Sequence, residues 1–132
     1  MPIANTPYLR NLLLIDAATC LGAGVVMAAG ASFLSPLLAL PAGLLFWAGV
    51  ALIPFAAFLI FTARRAEAPR IALIDISAIN VLWVAASFGI MLGGLVEPNL
   101  LGTLFITAQA LTVALLAVLQ IGVLRRTSTA VA

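Results

Sequence analysis

Two acidic residues stand just inside the start of long apolar segments and are the first candidates for chemistry. Asp16 and Asp75 lie 59 residues apart, and each ends a Leu-Ile-Asp triplet. A carboxylate within a membrane span is costly, so it indicates either a proton or ion site, or an ion pair with a nearby cation. Arg10 and Arg70 precede these aspartates by about one and a half helical turns, or roughly 8 to 9 Å of rise, so an arginine can snorkel back to pair with one of them. Ion pairing and ion binding both remain open.

The same offset of 59 residues recurs further along the chain. The residues that match at this offset are Val25 and Val84, Gly30 and Gly89, Gly43 and Gly102, Leu45-Phe46 and Leu104-Phe105, and Ala51-Leu52 and Ala110-Leu111. Self-similarity at a fixed period is the signature of a duplicated structural unit. The pattern predicts two copies of a helical hairpin, over about 10–64 and 69–126, which enter the membrane in the same direction.

Polar side chains also occur deeper in the apolar segments, at Asn80, Ser87, Gln109, Thr112 and Gln120. Helical spacing places Asn80 and Ser87 on one side of their segment, together with Trp83, and places the other three on one side of the last segment. We therefore expect the two rows to face each other. Interhelical hydrogen bonds are the usual role of such groups in membranes. The alternative is a lining for a small polar solute or a ligand headgroup.

Small residues repeat every four positions in two of the segments: Gly24, Ala28 and Ser32, and Ala85, Gly89 and Gly93. Small side chains allow helices to approach closely in lipid, where hydrophobicity does not distinguish a helix from a lipid tail. The simplest interpretation is that the first and third spans pack together within one molecule. A homo-oligomer, or a docking face for a larger membrane complex, is the alternative.

The composition excludes most enzyme and nucleic-acid chemistry. Hydrophobic residues make up 65% of the chain and charged residues 8%, which lies far outside the range of soluble globular proteins. Histidine is absent and Cys20 is the single cysteine, so we predict no metal site, no cofactor and no catalytic residues. Binding of a lipid, quinone or pigment in a groove stays open, because an apolar ligand needs only shape and a few donors. The net charge of +2 is too small to indicate a nucleic-acid partner. We expect a protein that is not an enzyme.

Four segments are long enough to cross a bilayer, at about 11–33, 42–62, 71–95 and 100–124. The arginines lie before the first span (Arg10), between the second and third (Arg64, Arg65 and Arg70), and after the fourth (Arg125 and Arg126). By the positive-inside rule both termini and the central loop are cytoplasmic. We predict an all-α polytopic membrane protein, a single domain over 1–132, whose four transmembrane helices form an up-down-up-down bundle.

The chain resembles a group of small four-span bacterial membrane proteins of unknown function over nearly its full length. The shared features are Asp16 in the first span, Leu40-Pro41-Ala42-Gly43 leading to Pro54-Phe55-Ala56, Asn80 with Trp83, Pro98-Asn99-Leu100-Leu101-Gly102, Gln109-Ala110, Leu119-Gln120 and the closing arginines. The resemblance implies a multi-pass protein of the bacterial inner (cytoplasmic) membrane. It implies no activity.

Two functions follow as hypotheses. The first is a non-enzymatic membrane protein that acts through helix packing, as an accessory or assembly subunit of a membrane complex or as a small homo-oligomer. Its partners are then the lipid bilayer and other membrane subunits or a second copy. The alternative is a small proton- or ion-coupled transporter or channel that uses Asp16 and Asp75.

Overall fold

The computed structural model describes the backbone of residues 2–131 and the side chains of residues 3–126. Within that range the chain forms five helices and one two-stranded antiparallel ribbon. The elements are β1 (Pro2–Ala4), α1 (Pro7–Ala29), α2 (Ala31–Leu38), α3 (Ala42–Arg64), β2 (Glu67–Pro69), α4 (Arg70–Leu92) and α5 (Leu100–Val131). The predicted domain also includes Met1 and Ala132, which lie outside the described residues. The expected helical fold with four long apolar spans is confirmed, since α1, α3, α4 and α5 are each long and apolar enough to cross a membrane.

The first helix differs in its bounds from the span predicted at 11–33. It begins at Pro7, because proline has no N–H to leave unpaired and the Thr6 hydroxyl accepts a backbone N–H of the first turn at 3.2 Å. At Gly30 the helix is interrupted, and the chain continues as the separate helix α2. Pro36, which the sequence places in a connection, lies inside this short helix.

The long helices pack as two pairs, α1 with α3 and α4 with α5. Gly24 and Gly49 form the crossing point of the first pair. A Cβ atom added at Gly24 would lie 2.9 Å from the Gly49 carbonyl oxygen, and one added at Gly49 would lie 2.6 Å from the Gly24 oxygen. Only hydrogen side chains allow two backbones to approach this closely, so the pair depends on both glycines.

The start of α1 is fastened to the end of α3. The Asn5 amide nitrogen donates to the carbonyl oxygens of Thr62 at 3.0 Å, Ala63 at 2.9 Å and Arg65 at 2.9 Å. Arg10 Nε donates to the same Ala63 oxygen at 2.9 Å. The last carbonyls of a helix have no partner within it, so these donors satisfy groups that would otherwise be left unbonded. Next to this cap, β1 pairs with β2.

Other contacts bring the remaining arginines to the same end of the bundle. Arg70 donates to the Leu124 carbonyl oxygen at 3.1 Å, which joins the start of α4 to α5. The Arg126 guanidinium lies 5.7 Å from the centre of the Tyr8 ring, which joins α5 to α1. The six arginines of the chain therefore gather where α1 begins and α3 ends.

At the opposite end, Asn99 joins the two halves of the chain. Its side-chain oxygen accepts the Gly102 N–H at 2.8 Å and caps α5, while its side-chain nitrogen donates to the Leu37 carbonyl oxygen at 2.8 Å. The Asn99 backbone N–H also donates to the Leu38 oxygen at 3.3 Å. At Gly102 an added Cβ would collide with that same oxygen, so glycine is required for the contact.

The outer surface of the bundle is apolar. Large hydrophobic side chains such as Ile15, Val26, Leu82 and Leu115 are exposed on the long helices. A soluble protein rarely exposes contiguous apolar surface on this scale, whereas a bilayer covers it. The structure therefore supports a membrane protein.

Replacing Gly24 by leucine tests the α1/α3 crossing. We expect Gly24→Leu to destabilise the folded protein by about 1 to 3 kcal/mol, because the new side chain must separate the two helices. The matched control is Gly22→Leu, since a Cβ at Gly22 meets no atom within 4 Å. Thermal unfolding in detergent measures both variants, and equal midpoints would contradict the assigned crossing.

Candidate functional site

Asp16 lies at the centre of a buried polar cluster that joins three helices. Its side chain is fully buried in α1, where its Oδ2 atom accepts hydrogen bonds from Asn80 Nδ2 of α4 and Gln120 Nε2 of α5, each at 2.8 Å. Asn80 Nδ2 also donates to Gln120 Oε1 at 2.8 Å. The three side chains thus form a closed triangle, and this triangle links the α1/α3 pair to the α4/α5 pair.

The second oxygen of the carboxyl group has a weaker partner. Cys20 lies one turn beyond Asp16 in α1, and its Sγ atom is 3.5 Å from Asp16 Oδ1. A thiol can donate to this oxygen when the carboxyl group is ionised, and its sulfur can accept from it when the oxygen carries a proton. The two amide bonds to Oδ2 are compatible with either state. Cys20 is therefore the third side chain in contact with the Asp16 carboxyl group.

Neither Arg10 nor Arg70, the predicted partners, forms an ion pair with Asp16 in the structure. Within the described part of the chain, Asp16 bonds to Asn80, Gln120 and Cys20 and to no arginine. Arg10 turns instead toward the end of α3, and Arg70 donates to the Leu124 carbonyl oxygen. The end of α3 attracts Arg10 because the unpaired carbonyls of a helix C-terminus carry partial negative charge.

Asp75 occupies a different environment from Asp16, although the two match in sequence. It is exposed on α4, outside the cluster. Asn80, five residues further along, is the α4 residue that reaches Asp16. The matching positions therefore do not form two equivalent sites.

A second polar row lies further along α4 and α5. Trp83 Nε1 donates to Gln109 Oε1 at 2.6 Å, and Gln109 Nε2 donates to Ser87 Oγ at 3.1 Å. Ser87 Oγ itself donates to the Trp83 carbonyl oxygen at 2.7 Å. The two predicted rows thus meet at Asn80, Ser87, Gln109 and Gln120. Thr112 is exposed and donates to the Ala108 carbonyl oxygen of its own helix at 2.9 Å, so it stays outside the row.

Two cavities lie between the helix pairs and are separated by Trp83. The inner cavity, of about 110 Å³, is lined by Cys20 and Asn80 beside the Asp16 cluster. The outer cavity, of about 160 Å³, is lined by Ser87 and Gln109 with mostly apolar neighbours. Trp83 lines both. The two cavities thus adjoin at Trp83, and Asn80, which lines the smaller one, bonds to Asp16.

The small-residue rows have different neighbours from those expected. Gly24 and Ala28 pack against Gly49 of α3, the second span, because Gly49 provides the matching small surface. Ser32 is exposed in α2. In the other row, Ala85, Gly89 and Gly93 are exposed, and a Cβ at Gly89 would meet no atom within 4 Å. This second row is therefore unpartnered within the described chain.

No family model, curated protein or solved structure matches this chain. The site must be interpreted from its own chemistry. The described residues contain no group of three or more His, Cys, Asp and Glu side chains that could hold a metal ion. The oxygens, amides and thiol around Asp16 suit a proton or a small polar guest.

Two contacts of the site, Cys20 with Asp16 and Trp83 with Gln109, were not predicted from the sequence. Cys20 follows Asp16 at the i+4 position, which places both side chains on one helix face, so this contact was available from spacing alone. The indole of Trp83 was assigned only to a polar face, and its bond to Gln109 depends on how α4 and α5 pack. No local signal indicates that partner.

Removing an amide tests the cohesion of the cluster. Asn80→Leu and Gln120→Leu should each destabilise the protein, because a buried carboxyl group loses a donor, and the double variant should show a coupling of about 0.5 to 1.5 kcal/mol. Thr112→Val is the control, since its exposed hydroxyl bonds only within its own helix. Thermal unfolding in detergent gives the double-mutant cycle, and strictly additive effects would contradict the triangle.

Proposed function

We propose that this protein is a small, non-enzymatic transporter or channel of the bacterial inner membrane that couples to protons or a small cation through Asp16. The observation that carries the proposal is a fully buried carboxyl group, without an arginine partner among the described residues, whose partners Asn80 and Cys20 line a cavity between the two helix pairs. Ionisable groups inside membrane spans are costly and typically mark ion or proton pathways.

Orientation is part of the same proposal. The contacts of Arg10 with α3, Arg70 with Leu124 and Arg126 with Tyr8 support an up-down-up-down bundle with the arginines at one membrane face. The positive-inside rule assigns this face to the cytoplasm. The sequence repeat agrees with two hairpins that enter the membrane in the same direction, and the bacterial inner membrane follows from the family resemblance.

A purely structural role accounts for the Asn80 and Gln120 amides, but it does not account for the Asp16 carboxyl group. Asn80 and Gln120 already bond to each other across α4 and α5, and neutral amides can join helices without placing a charge in lipid. Asp16 adds a group whose ionised form is expensive at this depth. The first turn of the helix, where Arg10 lies, is about 9 Å away along the axis. A carboxyl group at this position is best explained by the proton or cation that it binds.

Proton movement through the site requires access from two sides. From the outer end, the path runs through the larger cavity, past Trp83, to Cys20 and Asp16 Oδ1. From the arginine-bearing end, Asp16 is separated from solvent by about two turns of the bundle. In the proposed cycle Oδ1 takes up a proton at one side, the charge is neutralised, and the proton leaves at the other. Trp83, held by Gln109, is the barrier that keeps the two cavities apart.

The variant Asp16→Asn tests the transport role. Asparagine matches aspartate in size, and its side-chain oxygen can still accept from Asn80 and Gln120, so the bundle should fold while the titratable group is lost. We expect proton flux into liposomes, driven by a potassium gradient with valinomycin and followed with an internal pH dye, to fall to the level of protein-free vesicles.

The matched control for this assay is Asp75→Asn, which removes an exposed acid outside the cluster and should leave the flux unchanged. Infrared difference spectra across a pH titration should show a carboxyl band in the wild type that Asp16→Asn removes. Flux and spectra unaffected by Asp16→Asn would reject the proposal.

A second candidate function rests on the unpartnered row of α4. Ala85, Gly89 and Gly93 are exposed, which favours an accessory subunit or a homo-oligomer that docks another helix on this face. Among the described residues, no other helix covers a Cβ placed at Gly89.

Gly89→Leu tests this second function. The larger side chain should abolish association with a partner or a second copy while leaving the thermal stability of the monomer unchanged, because no described atom lies within 4 Å of a Cβ at Gly89. Native gels and crosslinking in the membrane measure the association. Gly22→Leu, on an equally open part of α1, is the control, and an intact assembly in Gly89→Leu would remove this candidate.

A further inference from the structure

One face of α3 carries apolar residues that lead to two arginines. Ala57, Ile60, Phe61, Arg64 and Arg65 line an open groove of about 550 Å³ on the outer surface of the protein. The spacing of these residues, at i, i+3, i+4, i+7 and i+8, makes them a single stripe along the helix. The groove is thus apolar toward the membrane interior and cationic at the arginine-bearing end of the bundle.

The two guanidinium groups of this groove differ from the other arginines. Arg10 and Arg70 donate to backbone carbonyls, and Arg126 lies over the Tyr8 ring. Arg64 and Arg65 are exposed, and within the described residues neither side chain has an acidic partner; the Arg65 guanidinium instead lies 5.7 Å from the centre of the Phe61 ring. Two positive charges therefore remain available to an anion from outside the protein.

We propose that this groove binds an anionic phospholipid. The phosphate would bond to the guanidinium groups of Arg64 and Arg65, since the planar fork of arginine matches phosphate oxygens. An acyl chain would then lie along Phe61, Ile60 and Ala57, with its upper methylenes within the roughly 10 Å of rise that separates Ala57 from Arg64. A free phosphate would leave the apolar half of the groove unoccupied, and a neutral lipid would leave the two positive charges uncompensated. This site is independent of Asp16.

Native mass spectrometry of the purified full chain in mild detergent tests the lipid site. The probes are phosphatidylglycerol and phosphatidylcholine with identical acyl chains, and the wild type should retain phosphatidylglycerol selectively. In the double variant Arg64→Gln/Arg65→Gln, phosphatidylglycerol should bind about tenfold to thirtyfold more weakly, because each arginine near a membrane surface contributes about a fivefold attraction. Arg126→Gln is the matched control and should bind as the wild type does.

The apolar half of the groove needs its own variant, because the loss of two arginines can also disturb insertion. Ala57→Trp keeps both charges and fills the groove, and it should weaken phosphatidylglycerol binding to a similar degree. Glycerol 1-phosphate, which carries an anionic phosphate without acyl chains, should not compete at the concentration at which phosphatidylglycerol saturates the site.

Three results would overturn the proposal. The first is equal binding of the two lipids by the wild type. The second is equal loss in Arg126→Gln and in the double variant, which would indicate a general effect of positive charge. The third is full competition by glycerol 1-phosphate together with normal lipid binding in Ala57→Trp, which would indicate an anion site without an acyl-chain groove.

Discussion

The absence of a hydrophobic force between helices in lipid is the constraint on which this structure depends. Because lipid tails are as apolar as leucine, the helices are held by close backbone approach and by hydrogen bonds. The chain uses both means. Gly24 and Gly49 bring α1 and α3 into backbone contact, and the Asp16, Asn80 and Gln120 triangle joins this pair to α4 and α5.

The same constraint explains why side chains at the ends of the bundle bond to backbone groups of neighbouring helices. Asn5 and Arg10 satisfy carbonyls at the end of α3, and Asn99 both caps α5 and bonds to the end of α2. Unpaired backbone groups near a bilayer have few water partners, so a side chain that satisfies several of them contributes more there than on a soluble surface. These amides fix the two ends, and two cavities that are both lined by Trp83 remain between the helix pairs.

Much of this arrangement follows from local sequence, because membrane spans depend on apolar length and on breakers. The four long helices, the meeting of Asn80 with Gln120 and the position of Gln109 on an inward face were all predictable from hydropathy and helical period. The neighbour of Gly24 was not, since four-residue spacing shows that a face is small and does not show which helix covers it. The different environments of Asp16 and Asp75 were not predictable for the same reason. Both residues end the same Leu-Ile-Asp triplet, and this local sequence does not indicate which of the two side chains is buried between helices.

The ribbon of β1 and β2 was also not predictable from the sequence. Each strand is three residues long and contains one proline, so neither has a recognisable strand pattern. The pairing exists because the Asn5 cap and the end of α3 bring the two segments together. Contacts of this kind are set by tertiary structure and have no local signature.

The triangle around Asp16 also has a consequence for biogenesis. Its amide partners lie 64 and 104 residues further along the chain, so α1 enters the bilayer during synthesis with a carboxyl group that has neither of them. On insertion scales an aspartate at the centre of a helix costs about 2.5 to 3.5 kcal/mol. The insertion of α1 into the membrane is therefore less favourable on its own than in the folded bundle. It is stabilised when Asn80 of α4 and then Gln120 of α5 bond to Asp16.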